Sequence, residues 1–114
     1  MARPQRLTGS ATPISINGGR VSRLETIFAH NPSESAGAYV KVYAQAVAPV
    51  AGDVPIASVW VPFGATGSGG GDRVIPIFID GANFWIAVAT EFGAGLTGPA
   101  SNFAITATLE GQAS

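Results

Sequence analysis

The chain has no cysteine and a single histidine, and only 11% of its 114 residues are charged. Without cysteine there are no disulfides and no thiolate metal sites, and the redox compartment cannot be read. With His30 as the one histidine, zinc ligation and histidine-assisted nucleophilic catalysis have little to draw on. Charged residues usually make up about 25% of a globular chain. Their scarcity leaves much of the surface to Ser, Thr, Gly, Ala and backbone. That suits a chain that buries further surface against copies of itself or a neighbour. The net charge of −1 gives no electrostatic case for nucleic acid or an anionic membrane.

Long apolar runs are also missing. The longest stretches without a charged residue, 54–71 and 92–109, both contain proline and several glycines. A spanning helix needs ~20 apolar residues, so the chain is expected to be soluble. The start, "MARPQRLTGSATP", carries two arginines and no apolar core, which predicts no secretory signal at this end. Apolar residues are nonetheless plentiful, at 46%. A chain of this length forms one domain that buries roughly two thirds of its unfolded surface.

The period of that apolar content is two. Residues 1–12 read as a flexible arm and 13–114 as a single domain. "TPISIN" alternates Ile14 and Ile16 before "NGG" at 17–19, a strong turn signal. "RVSRLETIFAH" places Leu24, Thr26 and Phe28 on one face and Arg23, Glu25 and Ile27 on the other. "AYVKVYAQAV" alternates Val40 and Val42 against Tyr39, Lys41 and Tyr43, with the tyrosine face expected to be the wetter one. "IASVWVPF" sets Val59, Val61 and Phe63 against Ile56, Ser58 and Trp60. "RVIPIFID" is apolar on both faces, so both are expected to be covered, and Pro76 predicts an edge or a bulge. "DGAN" at 80–83 predicts a hairpin into "FWIAVATEF". "NFAITATLEG" points Phe103, Ile105, Ala107 and Leu109 inward. No segment shows a capped helical period. The prediction is an all-β antiparallel sandwich, or small barrel, of about seven strands.

The motifs that carry chemistry fail on inspection. "GATGSGGGDR", residues 64–73, is half glycine. Gly64 and Gly69 have P-loop spacing, but Gly70 stands where lysine must reach the phosphates, and a strand pattern follows instead of a helix. The dinucleotide fingerprint starting at Gly67 fails at Asp72. A calcium nonapeptide from Gly67 misses only at Ser68, yet that site needs stacked repeats and no second copy is visible. The stretch therefore reads as a connection between the Trp60 and Ile75 strands, ordered, if at all, by a neighbouring subunit. A triad through His30 with Ser22, Ser33 or Ser58 lacks a nucleophile elbow. Asp53, Asp72 and Asp80 sit at turns, where Asp bonds local backbone. No metal, cofactor, small-molecule substrate or catalytic set is indicated. Trp60, Trp85, Tyr39 and Tyr43 offer the elements of a sugar-stacking platform, against the plainer reading of core or interface aromatics. Arg20 and Arg23 lie near the first strands without making a basic patch. The residues singled out for contact with a partner are Arg3 and Arg6 on the arm, Tyr39 and Tyr43, and Asp72 and Arg73 at the end of the glycine stretch.

Three segments carry a resemblance: "YVKVYAQAVAPVAGDVPIASVWVPFGA", "FWIAVATEFG" and the closing "NFAITATLEG". Over residues 14–110 the chain resembles a group of small bacteriophage virion proteins. These share a strand of the type "VKLYN", an "APxxGxxxP" turn, a strand ending in small residues and Gly, and a later "G-aromatic-x-IAV" strand. Tyr43-Ala44-Gln45 and Asn83-Phe84-Trp85 depart from the group's usual residues. The resemblance implies a β-sandwich in a phage particle, a head decoration or cement protein assembled in the host cytoplasm. Its implied partners are the major capsid protein or other virion subunits, together with copies of itself. It carries over no functional residues.

Overall fold

The computed structural model describes residues 2–16, 21–67, 69–99 and 101–111. The "NGG" turn, Arg20 and Ser68 lie outside the described residues. Eight strands form: β1 (Ala2–Gly9), β2 (Ile14–Ser15), β3 (Val21–Asn31), β4 (Ala38–Ala44), β5 (Ala57–Val61), β6 (Gly71–Asp80), β7 (Phe84–Ala89) and β8 (Phe103–Gly111). They make two four-stranded sheets, in the orders β1-β8-β3-β6 and β2-β7-β4-β5. Every pairing is antiparallel, and no helix occurs among the described residues. The sheets pack face to face as a β-sandwich. Only β4 and β5 are consecutive neighbours; every other link crosses between sheets. That strand order is the double Greek key of a jelly roll.

The alternating strands supply the core. Val40 and Val42 of β4, Ile86 and Val88 of β7, and Phe103, Ile105, Ala107 and Leu109 of β8 are all buried between the sheets. Each large aliphatic or aromatic side chain so buried contributes about 1.5–3 kcal/mol.

Four expectations change. Residues 2–9 of the segment read as an arm lie in β1, paired with β8 from Ala2↔Glu110 to Gly9↔Phe103. Leu7 packs on the core, so one apolar residue suffices where β8 offers a complete ladder of partners. β3 does not keep one alternation. Against β8 the register shifts from Leu24↔Leu109 to Thr26↔Thr108, which leaves Glu25 as an extra residue in β3, and its faces exchange there. Leu24, Ile27 and Ala29 are consequently buried while Phe28 is exposed. β6 is covered on one face only: Ile75 is buried, whereas Val74 and Phe78 are exposed. It is an edge strand, paired only with β3, as Pro76 requires. Finally, "DGAN" is no hairpin. It carries the chain from β6 in one sheet to β7 in the other, because β7 is claimed on both sides, by β2 and β4.

Candidate interaction surface

The outer face of β2-β7-β4-β5 is not the wet face that Lys41 implies. Lys41 and Tyr43 are completely buried there, as are Ala87 and Ala89 on β7. Residues 91–97 of the β7–β8 connection fold back over this face. The Lys41 ammonium holds it, donating to the carbonyls of Gly93 and Gly95, the latter at 2.7 Å. Burial lowers the Lys41 pKa and the nearby Glu91 carboxylate partly restores it. Glu91 accepts a hydrogen bond from the Thr97 amide at 2.6 Å, which holds its own carboxyl below the usual range. On β5, Ser58 donates its hydroxyl to the Phe92 carbonyl at 3.1 Å.

The β4–β5 connection is built to meet that loop. Asp53 accepts hydrogen bonds from the Val50 amide at 3.0 Å and from the Gln45 side chain at 3.1 Å. Both favour its ionised form and lower its pKa. The Asp53 amide in turn donates to the Val50 carbonyl at 3.0 Å, closing a tight turn. Gly52 then donates its amide to the Ala94 carbonyl at 2.9 Å, tying the two connections together.

Between them lies an apolar groove of about 410 Å³ lined by residues 54–58 and 92–94. Its side chains are strongly exposed: Val54 79%, Phe92 64% and Ile56 45%. The aromatic residues continue it. Tyr39 meets Trp60 edge-to-face at 5.0 Å and Phe92 at 5.4 Å. Trp60 sits over Gly37, where a Cβ would lie 2.3 Å from the indole; only glycine leaves room for the ring. The result is a large apolar surface presented by loops pinned to a rigid sheet. Isolated exposed apolar residues need no explanation, but a contiguous patch marks an interaction site.

The residues singled out from sequence do not converge. Tyr39 belongs to this surface. Tyr43 does not: its hydroxyl is buried without a hydrogen-bond partner, and burial followed by the Asp53 charge raises its pKa. Trp85, its neighbour across β7, donates its indole N–H to the Gln45 carbonyl at 3.0 Å. Arg3 and Arg6 lie on β1 opposite Leu109 and Thr106, in the other sheet. Asp72 faces His30 across β3 and β6, hydrogen-bonded to its Nδ1, and Arg73 is exposed beside it. The His30 ring is thus engaged by Asp72. Ser33 accepts from the amides of Ser35 and Ala36, so both it and Ser58 serve loops. Among the described residues no group of three His, Cys, Asp or Glu is placed to hold a metal ion. Val54, Ile56 and Phe92 were not singled out from sequence; their one signal is that bulky apolar residues stand inside turn-forming stretches, where packing partners are scarce.

The glycine stretch is anchored within the chain at two of its residues. Gly64 donates its amide to the Ser33 carbonyl at 3.2 Å, and Gly69 to the Glu34 carboxylate at 2.7 Å. Buried Asn31 organises the adjoining loop: its side-chain amide donates to the Ala36 carbonyl at 3.0 Å, and its Oδ1 accepts from the Ser33 amide at 2.9 Å. Gly70, at φ +110°, passes so close to Asn31 that a Cβ would fall 2.0 Å from its carbonyl oxygen. No family model matches the sequence, and no curated protein and no solved structure matches it.

Proposed function

We propose that this chain is a non-enzymatic structural protein of a phage particle, a decoration or cement protein that binds the head surface. The observation that carries this reading is the apolar groove between the two loops, with Val54 and Phe92 raised out of a jelly roll whose sheet holds them rigid. Jelly rolls recur in viral capsids. The low charge and the resemblance over residues 14–110 point the same way. Attachment uses the loops and edge strands, through burial of the apolar patch. The partner is the major capsid protein or another virion subunit, and the location is the particle itself.

The test is co-pelleting of the purified chain with head shells that lack it. Binding is expected. Val54→Asp and Phe92→Asp together should weaken it by on the order of tenfold or more, since each removes an apolar side chain from a dry interface. Failure to bind any head or tail component would overturn the reading.

A second reading rests on the corner formed by Tyr39, Trp60 and Phe92. Aromatic rings stack on sugar faces, and lectins also use jelly rolls. On this reading the chain is a tail or host-surface carbohydrate-binding module. A glycan array discriminates: silence across host-surface sugars removes it.

A further inference from the structure

We infer that two copies of this chain pair edge to edge through β5, so that their β2-β7-β4-β5 sheets join into one continuous sheet. The inference does not rest on the virion reading.

The hydrogen-bonding alternation turns two residues of β5 towards its free edge. In an antiparallel ladder each residue aims its N–H and C=O to one side, and the next residue aims them to the other. The Val88 amide donates to the Ser10 carbonyl at 2.8 Å, so Val88 faces away from β4. Val40, opposite Val88, therefore aims its own groups at β5, where it meets Val59. Ser58 and Trp60, on either side of Val59, aim theirs outwards. β5 is the last strand of its sheet, and among the described residues no backbone group pairs with those two from outside it. Just beyond, the Asn31 side-chain amide donates to the Pro62 carbonyl at 3.4 Å and closes the edge.

The other sheet edges are defended against such pairing. β1 carries Pro4 and Arg6, β2 is two residues long, and β6 holds Pro76 together with Phe78 at φ +53°. Proline, charge, shortness and backbone kinks are the means by which edges escape strand addition. β5, "ASVWV", has none of them, and it lies within the uncharged stretch 54–71. An unguarded edge among guarded ones is a place for a partner strand.

The edge fits its own copy. A two-fold axis normal to the sheet, passing between the two Val59 residues, sets Ser58 opposite Trp60 of the other copy and Trp60 opposite its Ser58. These are the residues with open groups, so each outward N–H finds an outward C=O. The following pair would be Ile56 with Pro62, and the ladder ends there without stranding a donor. The Ile56 amide is already on the Val42 carbonyl at 2.8 Å, and proline has no N–H. A self-paired edge brings like charges together wherever it carries any; this one carries none. On the outer face the Trp60 indole, 40% exposed, falls beside a serine, which leaves it room. Such an axis also turns both outer faces the same way, so the pair presents its two loop grooves to one surface.

Sedimentation equilibrium of the full chain should show a dimer. Ser58→Pro removes an outward amide and no ladder bond within the chain. It should keep the β-sheet circular dichroism and weaken the dimer by on the order of tenfold or more. Ser58→Ala loses the same hydroxyl contact with the Phe92 carbonyl but keeps the amide, so it should remain a dimer. The absence of cysteine gives the register its own test. Val59 faces its copy as a non-hydrogen-bonded pair, whose Cα atoms stand about 4.5 Å apart, within disulfide reach. Val59→Cys should therefore oxidise in air to a disulfide dimer. Thr66→Cys, exposed in the glycine stretch, should not. Wild type sedimenting as a monomer at every concentration it tolerates would overturn the inference. So would a Ser58→Pro dimer as tight as wild type, or a Val59→Cys chain that stays reduced in air.

Discussion

The Lys41 ammonium, on a fully buried side chain of β4, lies 2.7 Å from the Gly95 carbonyl oxygen in the loop that covers it. One charged side chain therefore fixes the loop that carries Phe92. Lys41→Met removes the donor and leaves the carbonyls of Gly93 and Gly95 without it. A loss of about 1–3 kcal/mol is expected, with the 90–102 connection becoming the first site of proteolysis. Chemical denaturation and limited proteolysis read both. A variant as stable and as resistant as wild type would show that the ammonium does not hold the loop.

The glycine stretch divides into two kinds of position. Gly70→Ala must push a Cβ into the Asn31 carbonyl, so it should cost at least about 2 kcal/mol. Gly67, at φ +87°, has open space around it, and Gly67→Ala should cost only about 1–2 kcal/mol, from backbone conformation alone. Thermal melts of the two variants check the order. Equal losses would mean that the close approach of Gly70 to Asn31 is not kept in solution.

The loop surface should loosen in acid. Asp53 and Glu91 have folded pKa values below their ordinary 3.8 and 4.5. Their contributions are complete above those ordinary values and are lost as pH falls through the lowered ones. Lys41 works at the other end: with its pKa lowered from 10.5, the unfolded chain holds the proton longer, so stability rises with pH through that window. Amide exchange at Thr97 and Val50 followed below pH 4.5 should show protection falling. In Asp53→Asn the Val50 response should disappear while the Thr97 response stays. Protection unchanged to the acid limit of folding would contradict the role of both carboxylates.

Much of the fold was legible because period-two alternation reports burial directly wherever a strand is regular. β8 and β4 placed their inward residues as their sequences imply. The alternation in β3 misleads because a bulge exchanges its faces at Glu25, and a bulge leaves no mark in a run such as "RLETIF". The Lys41 face misleads for a different reason. Its cover is a glycine-rich loop distant in sequence, and nothing in "YVKVY" reports that an ammonium will find two carbonyls there. β6 reads as doubly buried because hydrophobicity shows what avoids water, not which partner supplies the shelter. The candidate surface was half visible: Tyr39 and Trp60 stood out as aromatics, whereas Val54 and Phe92 gain meaning only once the two loops meet.

Cryo-electron microscopy of the particle proposed to carry this chain tests the central claim most directly. The account predicts density for the jelly roll on the head surface, with the β4–β5 and β7–β8 loops turned towards the shell and Val54 and Phe92 at the contact. A particle whose head lacks the chain, or one that holds it with those loops facing solvent, would contradict it.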